Sequence, residues 1–237
     1  MRSTARLALA CLAGMAVSNL HAASVSEDQT AQQFGLTKYV EPHFPVMAEE
    51  QGILVGLASV AVAWDAEGTP SDVVVLRAND GSFGDAARDA AWQWRRAPNP
   101  AGREVAVYEL RFLKYGVVIS RNNTVSARMA EQKAIDAEPL RVPSSGDLDT
   151  PLKAIAQPMP VFPAAAKGRW DDGRVVVEFF VDENGRVRAP TVREATSPEF
   201  AAEALNALQQ WQYETPRKNG LPAVMSERWA FQFHKSS

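Results

Sequence analysis

Two adjacent acidic pairs, Asp171-Asp172 and Asp182-Glu183, and two histidines, His43 and His234, are the residues best suited to chemistry outside the N-terminal stretch. Carboxylates and imidazoles hold metals or move protons when several of them converge. Their spacing here does not bring that about. A calcium loop alternates its oxygen ligands and closes on a glutamate at its twelfth position, a pattern missing around both pairs. His43 adjoins Phe44-Pro45, where a turn residue is expected, and no second ligand set accompanies either histidine. The serines show no nucleophile elbow, and no glycine-rich loop marks a phosphate site. The acidic pairs therefore read as turn and surface residues. No catalytic, metal or cofactor site is expected, and the chain reads as a non-enzyme.

The tryptophans are the remaining candidates. Trp94 and Trp211 have the flat rings that stack on ligands, but both continue an apolar stripe at helical spacing, so core packing is the better reading. Trp92 breaks that stripe. It lies either in a contact between modules or on the surface, where it would mark a binding face.

The N-terminal stretch stands apart. It begins with Arg2 and Arg6, runs apolar from Leu7 to Val17 and ends in Ala22-Ala23. This is the layout of a cleaved secretory signal over residues 1–23, and the apolar run is too short to span a bilayer. The mature chain is expected to begin near Ala23 or Ser24 in the periplasm; a retained segment would instead anchor it to the inner membrane. Cys11, the chain's one cysteine, falls inside this stretch, where the apolar core before it is too short for a lipoprotein signal. The mature protein thus has no disulfide and depends on its core alone. Removing Arg2 and Arg6 with no acidic residue moves the net charge from −3 to −5. Nothing in that balance draws the chain to nucleic acid.

The elements that would position any site are spelled twice. Asp65, Gly68, Val75, Phe83 and Trp94 recur as Asp182, Gly185, Val192, Phe200 and Trp211, all 117 positions on. Phe44-Pro45 recurs as Phe162-Pro163 at 118. Tyr108, Leu110 and Phe112 recur as Trp229, Phe231 and Phe233 at 121. In the second copy Val175, Val177, Phe179 and Val181 alternate as a half-buried strand. Asn184-Gly185 suits a hairpin turn. Ser197 and Pro198 suit the start of a helix carrying Phe200, Ala204, Ala207, Leu208 and Trp211. A loop with Asn219-Gly220 precedes a closing strand over Trp229–His234. The first copy matches with Ala58, Val60, Val62 and Trp64 on its strand and a helix capped near Asp80.

The expected fold class is therefore α+β. It comprises two tandem modules, each a short N-terminal turn or helix, a hairpin, a helix and a closing antiparallel strand. The modules span residues 36–113 and 152–235. The segment 114–151 connects them: Tyr115–Ser120 extends the last strand of the first module, 125–138 suits a helix and 142–151 suits a linker.

At this level of detail the chain resembles the C-terminal domain of TonB. The resemblance rests on Pro160-x-Phe162-Pro163 with its Ala-rich turn, on GRVVVEFFVDENGRV, on the Phe200–Trp211 helix, and on the final Phe-x-Phe strand. It is strong over 158–234 and weaker over 42–113. It implies a periplasmic domain that grips a short extended segment of an outer-membrane transporter by strand addition to an exposed edge. It places partner contact on Arg228, Ala230, Gln232 and His234 of the closing strand, with Gln157, Pro158, Met159, Pro160 and Val161 nearby. The expected partners are envelope proteins, TonB-dependent outer-membrane transporters among them. A second copy of the chain, pairing edge to edge into a homodimer, is the other occupant of a bare edge. Energy transducers of the family add a membrane anchor and a long Pro-rich spacer. Neither is spelled here, so the resemblance implies the binding mode more than force transmission. A structural or peptidoglycan-associated envelope protein with the same fold is the alternative function.

Overall fold

The computed structural model describes residues 31–32, 34–100, 104–113, 116–122 and 142–235. The expected signal segment 1–23 and the expected helix at 125–138 lie outside them.

The first module opens with β1 (Leu36–Lys38) and the one-turn helix α1 (Val46–Glu50) just after Phe44-Pro45. The hairpin β2 (Val55–Trp64) and β3 (Pro70–Ala78) follows, then α2 (Gly81–Ala91), β4 (Arg95–Arg96) and β5 (Glu104–Leu113). On β2, Ala58, Val60, Val62 and Trp64 point to the helix side and are buried. They meet Phe83 and Ala87 of α2, and Tyr108, Leu110 and Phe112 of β5. Asp80 caps α2, its carboxylate accepting from the Ser82 amide at 3.0 Å. This satisfies one of the helix's free N–H groups.

The second module repeats the order with β7 (Ala154–Ala156), β8 (Asp172–Val181), β9 (Val187–Ala195), α3 (Pro198–Leu208), β10 (Gln212–Tyr213) and β13 (Met225–His234). The small hairpin β11 (Arg217–Lys218) and β12 (Leu221–Pro222) fills the longer loop before β13. The repeat holds to the residue. Gly56, Ala58 and Val60 of β2 lie opposite Phe112, Leu110 and Tyr108. Gly173, Val175 and Val177 of β8 lie opposite Phe233, Phe231 and Trp229. The short strands repeat as well: Leu36 pairs Arg96 as Ala154 pairs Tyr213.

The turn after each first strand shows why the acidic residue and the glycine recur. Asp65 accepts from the Thr69 amide at 2.7 Å, and Asp182 accepts from the Arg186 amide at 2.9 Å. Gly68 and Gly185 take φ values of 82° and 76°, which a side chain disfavours. A Cβ on either would also run into the backbone carbonyl of Arg96 or Tyr213. A hairpin turn at Asn184-Gly185 suits positive φ at both residues; Asn184 does not adopt it.

Three details differ from the sequence reading. Both helices stop before their tryptophan, at Ala91 and Leu208, so Trp94 and Trp211 sit in the turn beyond. They are buried nonetheless. Ser197 stands at the N-cap of α3, but its hydroxyl makes no capping bond; Pro198 fixes the first turn through its backbone angle instead. Third, the chain after β5 does not prolong that strand. It turns back as β6 (Gly116–Asn122) and pairs antiparallel with β5, giving the order β3-β2-β5-β6.

The modules pack against each other. The outer face of the first sheet offers Ala61, Ala63, Val74 and Leu76, which meet Ala189 and Val224 of the second module in a separate buried cluster, with Phe180 against it. Beside it, Arg188 donates to both carboxylate oxygens of Asp72 and to the Val73 carbonyl. Asp72 also accepts from the Ala189 amide at 3.1 Å. Ala189 has φ 46° in a bulge of β9, so this carboxylate braces an unfavourable backbone angle. Asp72→Ala removes the acceptor for two partners at once and leaves Arg188 facing the interface. A loss of about 2 kcal/mol is expected, read as a lower denaturant midpoint and as separation of the two modules' transitions. Unchanged, coincident transitions would show that the apolar cluster alone joins them.

The stretch expected as a linker is docked on the second module. Leu148 and Leu152 pack on its core. Asp149 accepts from the amides of Asn219 and Gly220 at 2.8 and 2.7 Å. Those two N–H groups, Gly220 foremost, hold the Asp149 carboxyl below the usual carboxylate range. The clamp is therefore in place above that range and released as the pH falls through the lowered value.

Candidate functional site

Neither expected chemistry nor its absence singles out a pocket here; the distinctive feature is a strand edge. The second sheet has the order β13-β8-β9, so β13 is on its margin. Strand direction decides which backbone groups are free. The Ser226 amide points away from β8, to the Pro143 carbonyl at 2.8 Å. Because hydrogen-bonding direction alternates along an antiparallel strand, Arg228, Ala230, Gln232 and His234 aim N–H and C=O outward like Ser226. Pro143 and Ser144 cover the edge only at Ser226. Among the described residues no strand pairs with β13 beyond that point. The Arg228 amide turns to the neighbouring Glu227 carboxylate at 3.1 Å.

The side chains at these four positions are exposed. Arg228 and His234 belong to a ladder of polar pairs across the sheet's outer face. Glu178 on β8 pairs with Arg193 and with Arg228 at 3.1 Å, and Arg174 pairs with Glu194 at 2.6 Å. His234 reaches Asp172 at 2.8 Å and Lys235 reaches Asp171 at 3.5 Å. Asp171 and Asp172 are thus strand-end surface residues, while Asp182 serves its turn. Among the described residues no group of three or more His, Cys, Asp or Glu is placed to hold a metal.

The alternation of Trp229, Phe231 and Phe233 predicts that all three point into the core; Phe231 and Phe233 are buried, but Trp229 is not. It stands edge-on to Trp211 at 5.3 Å and remains 37% exposed. The physical reason lies at the end of the helix. Past Leu208, α3 no longer roofs the sheet, so Trp211 covers one side of Trp229 and solvent the other.

The segment Gln157–Val161 is tied to this corner through Trp211, whose indole N–H donates to the Pro158 carbonyl at 2.9 Å. Trp94 makes the same bond to the Val40 carbonyl at 2.8 Å. Gln157, Leu152 and Ala154 share a groove of about 550 Å³ with Tyr213, Glu227 and Trp229. The groove brings the start of the segment beside the start of β13. Met159 and Val161 are exposed large apolar side chains, with Pro158 exposed and Pro160 half-buried. Trp92, left open between two placements, is 41% exposed at the end of α2.

Tyr213, at the back of the groove, was not singled out by sequence. Burial, with the Glu227 carboxylate nearby, pushes its phenol up to about 12. A phenol with an ordinary value near 10 in the unfolded chain ionises there first. Stability is therefore expected to fall as the pH rises from about 10 to 12, and a near-ultraviolet titration should show a late-ionising tyrosine that Tyr213→Phe removes. If all tyrosines ionise together near 10 while the protein stays folded, Tyr213 is not buried against Glu227.

Two helix-on-sheet α+β modules, one with its closing strand on the sheet margin, define the class of domain. This chain belongs to the TonB C-terminal family: the model of the Gram-negative bacterial TonB protein C-terminal matches residues 40–112 and 158–234, one stretch in each module. Over 98 residues the chain is 32% identical to Protein TonB of Pseudomonas aeruginosa, which covers 41% of this chain and 28% of that relative. The match therefore spans little more than a quarter of the relative's length. The solution NMR structure of the Pseudomonas aeruginosa TonB CTD is similar at 30% identity, covering 36% of this chain and 88% of that one, with a TM-score of 0.32. Among the described residues no helix is long and apolar enough to cross a membrane.

Proposed function

We propose that the protein is a periplasmic binding module of the Gram-negative envelope. Its second module takes an extended segment of an envelope protein, an outer-membrane transporter foremost, as an added strand along β13. The single observation that supports this reading is the outward-facing backbone of Arg228, Ala230, Gln232 and His234, with which no strand pairs among the described residues, in a chain of the TonB C-terminal family. Strand addition draws its affinity from main-chain bonds and its selectivity from side-chain contacts. At this site the first come from Arg228, Ala230, Gln232 and His234. The second come from the Gln157–Val161 segment, where Met159 and Val161 present apolar surface.

A photo-reactive residue in place of Ala230 tests the proposal in intact cells. The expected product is a cross-link to an envelope protein through a segment outside that protein's folded core. A residue placed at Asn206, on the exposed side of α3, serves as the control. Equal labelling from both positions, or sedimentation with peptidoglycan without any protein cross-link, would move the reading to the structural alternative.

A further inference from the structure

The two closing strands occupy the same place in their modules but differ in what lies beyond them. β5 and β13 face equivalent residues of β2 and β8, pair for pair. By that equivalence Val107, Glu109, Arg111 and Leu113 are the counterparts of Arg228, Ala230, Gln232 and His234. In the second module no strand among the described residues pairs with those positions. In the first they lie opposite Asn122, Ser120, Val118 and Gly116 of β6. The chain itself supplies the added strand there, seven residues long and in continuous register.

We infer that β6 closes the first module's counterpart of the proposed partner-binding edge, so that of the two closing strands β13 alone is left to accept a partner strand. β6 stands in the first module where a partner stands in the second. This rests on the proposed function for what β13 does, but the closure of the first module can be tested separately. The inference also accounts for the division of labour between the copies. The first sheet's other face is taken up by the second module, through Ala61, Ala63, Val74 and Leu76. With β5 covered as well, the first module's closing strand is not available to a partner.

Backbone exchange in the unmodified protein is the first test. The amides of Val107, Glu109 and Arg111 are expected to exchange about a hundredfold more slowly than those of Ala230 and Gln232. Equal rates would overturn the inference. The second test replaces Val118 and Ser120 by proline, removing two donors from β6, and adds a synthetic peptide of residues 116–122. The intact protein should bind one peptide per chain, with amide shifts over 228–234. The doubly substituted protein should bind a second, with shifts over 107–113. Peptide already bound at 107–113 in the intact protein, or no second site after substitution, would contradict closure. A second site at 107–113 with no shift at 228–234 in either protein would uphold closure and refute the proposed role of β13. If the substituted protein does not fold, the exchange rates decide alone.

Discussion

Trp211→Ala is expected to lower the stability of the second module by about 3–5 kcal/mol, the cost of emptying a large buried aromatic site. The indole is buried and touches the rings of Phe179, Tyr213, Trp229 and Phe231 at centroid distances from 5.3 to 6.2 Å. Truncation also strands the Pro158 carbonyl, which loses its 2.9 Å bond. A small domain has only about 5–15 kcal/mol of stability in total, so partial unfolding near physiological temperature should follow. Trp211→Phe separates the two contributions: it keeps most of the packing and loses the hydrogen bond, and a loss of about 1–2 kcal/mol is expected. Thermal or denaturant melting followed by circular dichroism reads both. An unchanged midpoint for Trp211→Ala would mean that the ring is not part of the core.

Gln232→Pro should leave the fold in place and weaken partner binding at least about tenfold, equivalent to about 1.4 kcal/mol. The Gln232 N–H points away from β8, so proline removes no bond to that strand; an edge position of this kind is one in which a strand tolerates it. It does remove a donor that an added strand needs, and its ring occupies the space of the partner's carbonyl. Phe231→Pro is the matched control. Residue 231 faces β8 with its side chain in the core, so that change should unfold the module. If Gln232→Pro binds the photo-captured partner as well as the unchanged protein does, residues 228–234 are not the site.

Much of the fold was legible because both periodicities are strong. Val175, Val177, Phe179 and Val181 alternate cleanly, and Phe200, Ala204 and Leu208 follow the helical repeat. The fixed offset of 117 then carried each assignment into the weaker first copy. Gly56 and Gly173 share that offset and were overlooked, although a side chain at either would collide with Phe83 or Phe200. Those glycines let the helix phenylalanine lie flat on the strand. β1 and β7 were missed because three residues show no period. β6 was read as a continuation of β5 because Leu113–Gly116 contains no strong turn pair. The Arg188–Asp72 brace joins residues 116 apart in sequence, and only the packing of the modules brings them together.

The edge was partly legible. Bulky residues at alternate positions set the inner and outer faces of the closing strand, and the repeat placed it in register with β5. Which backbone groups point outward depends on the pairing with β8, and the cover of Ser226 by Pro143 depends on how the connecting segment returns. The exposure of Trp229 follows from where α3 stops, three residues earlier than the stripe through Trp211 suggested.

The most direct measurement is amide hydrogen exchange of the full chain, free and bound to the envelope protein captured through position 230. The account predicts that Arg228, Ala230, Gln232 and His234 become protected on binding, while Val107, Glu109 and Arg111 stay protected in both states. Protection confined to the helices or to the outer face of the first sheet, with the amides of β13 still exchanging freely in the complex, would contradict it.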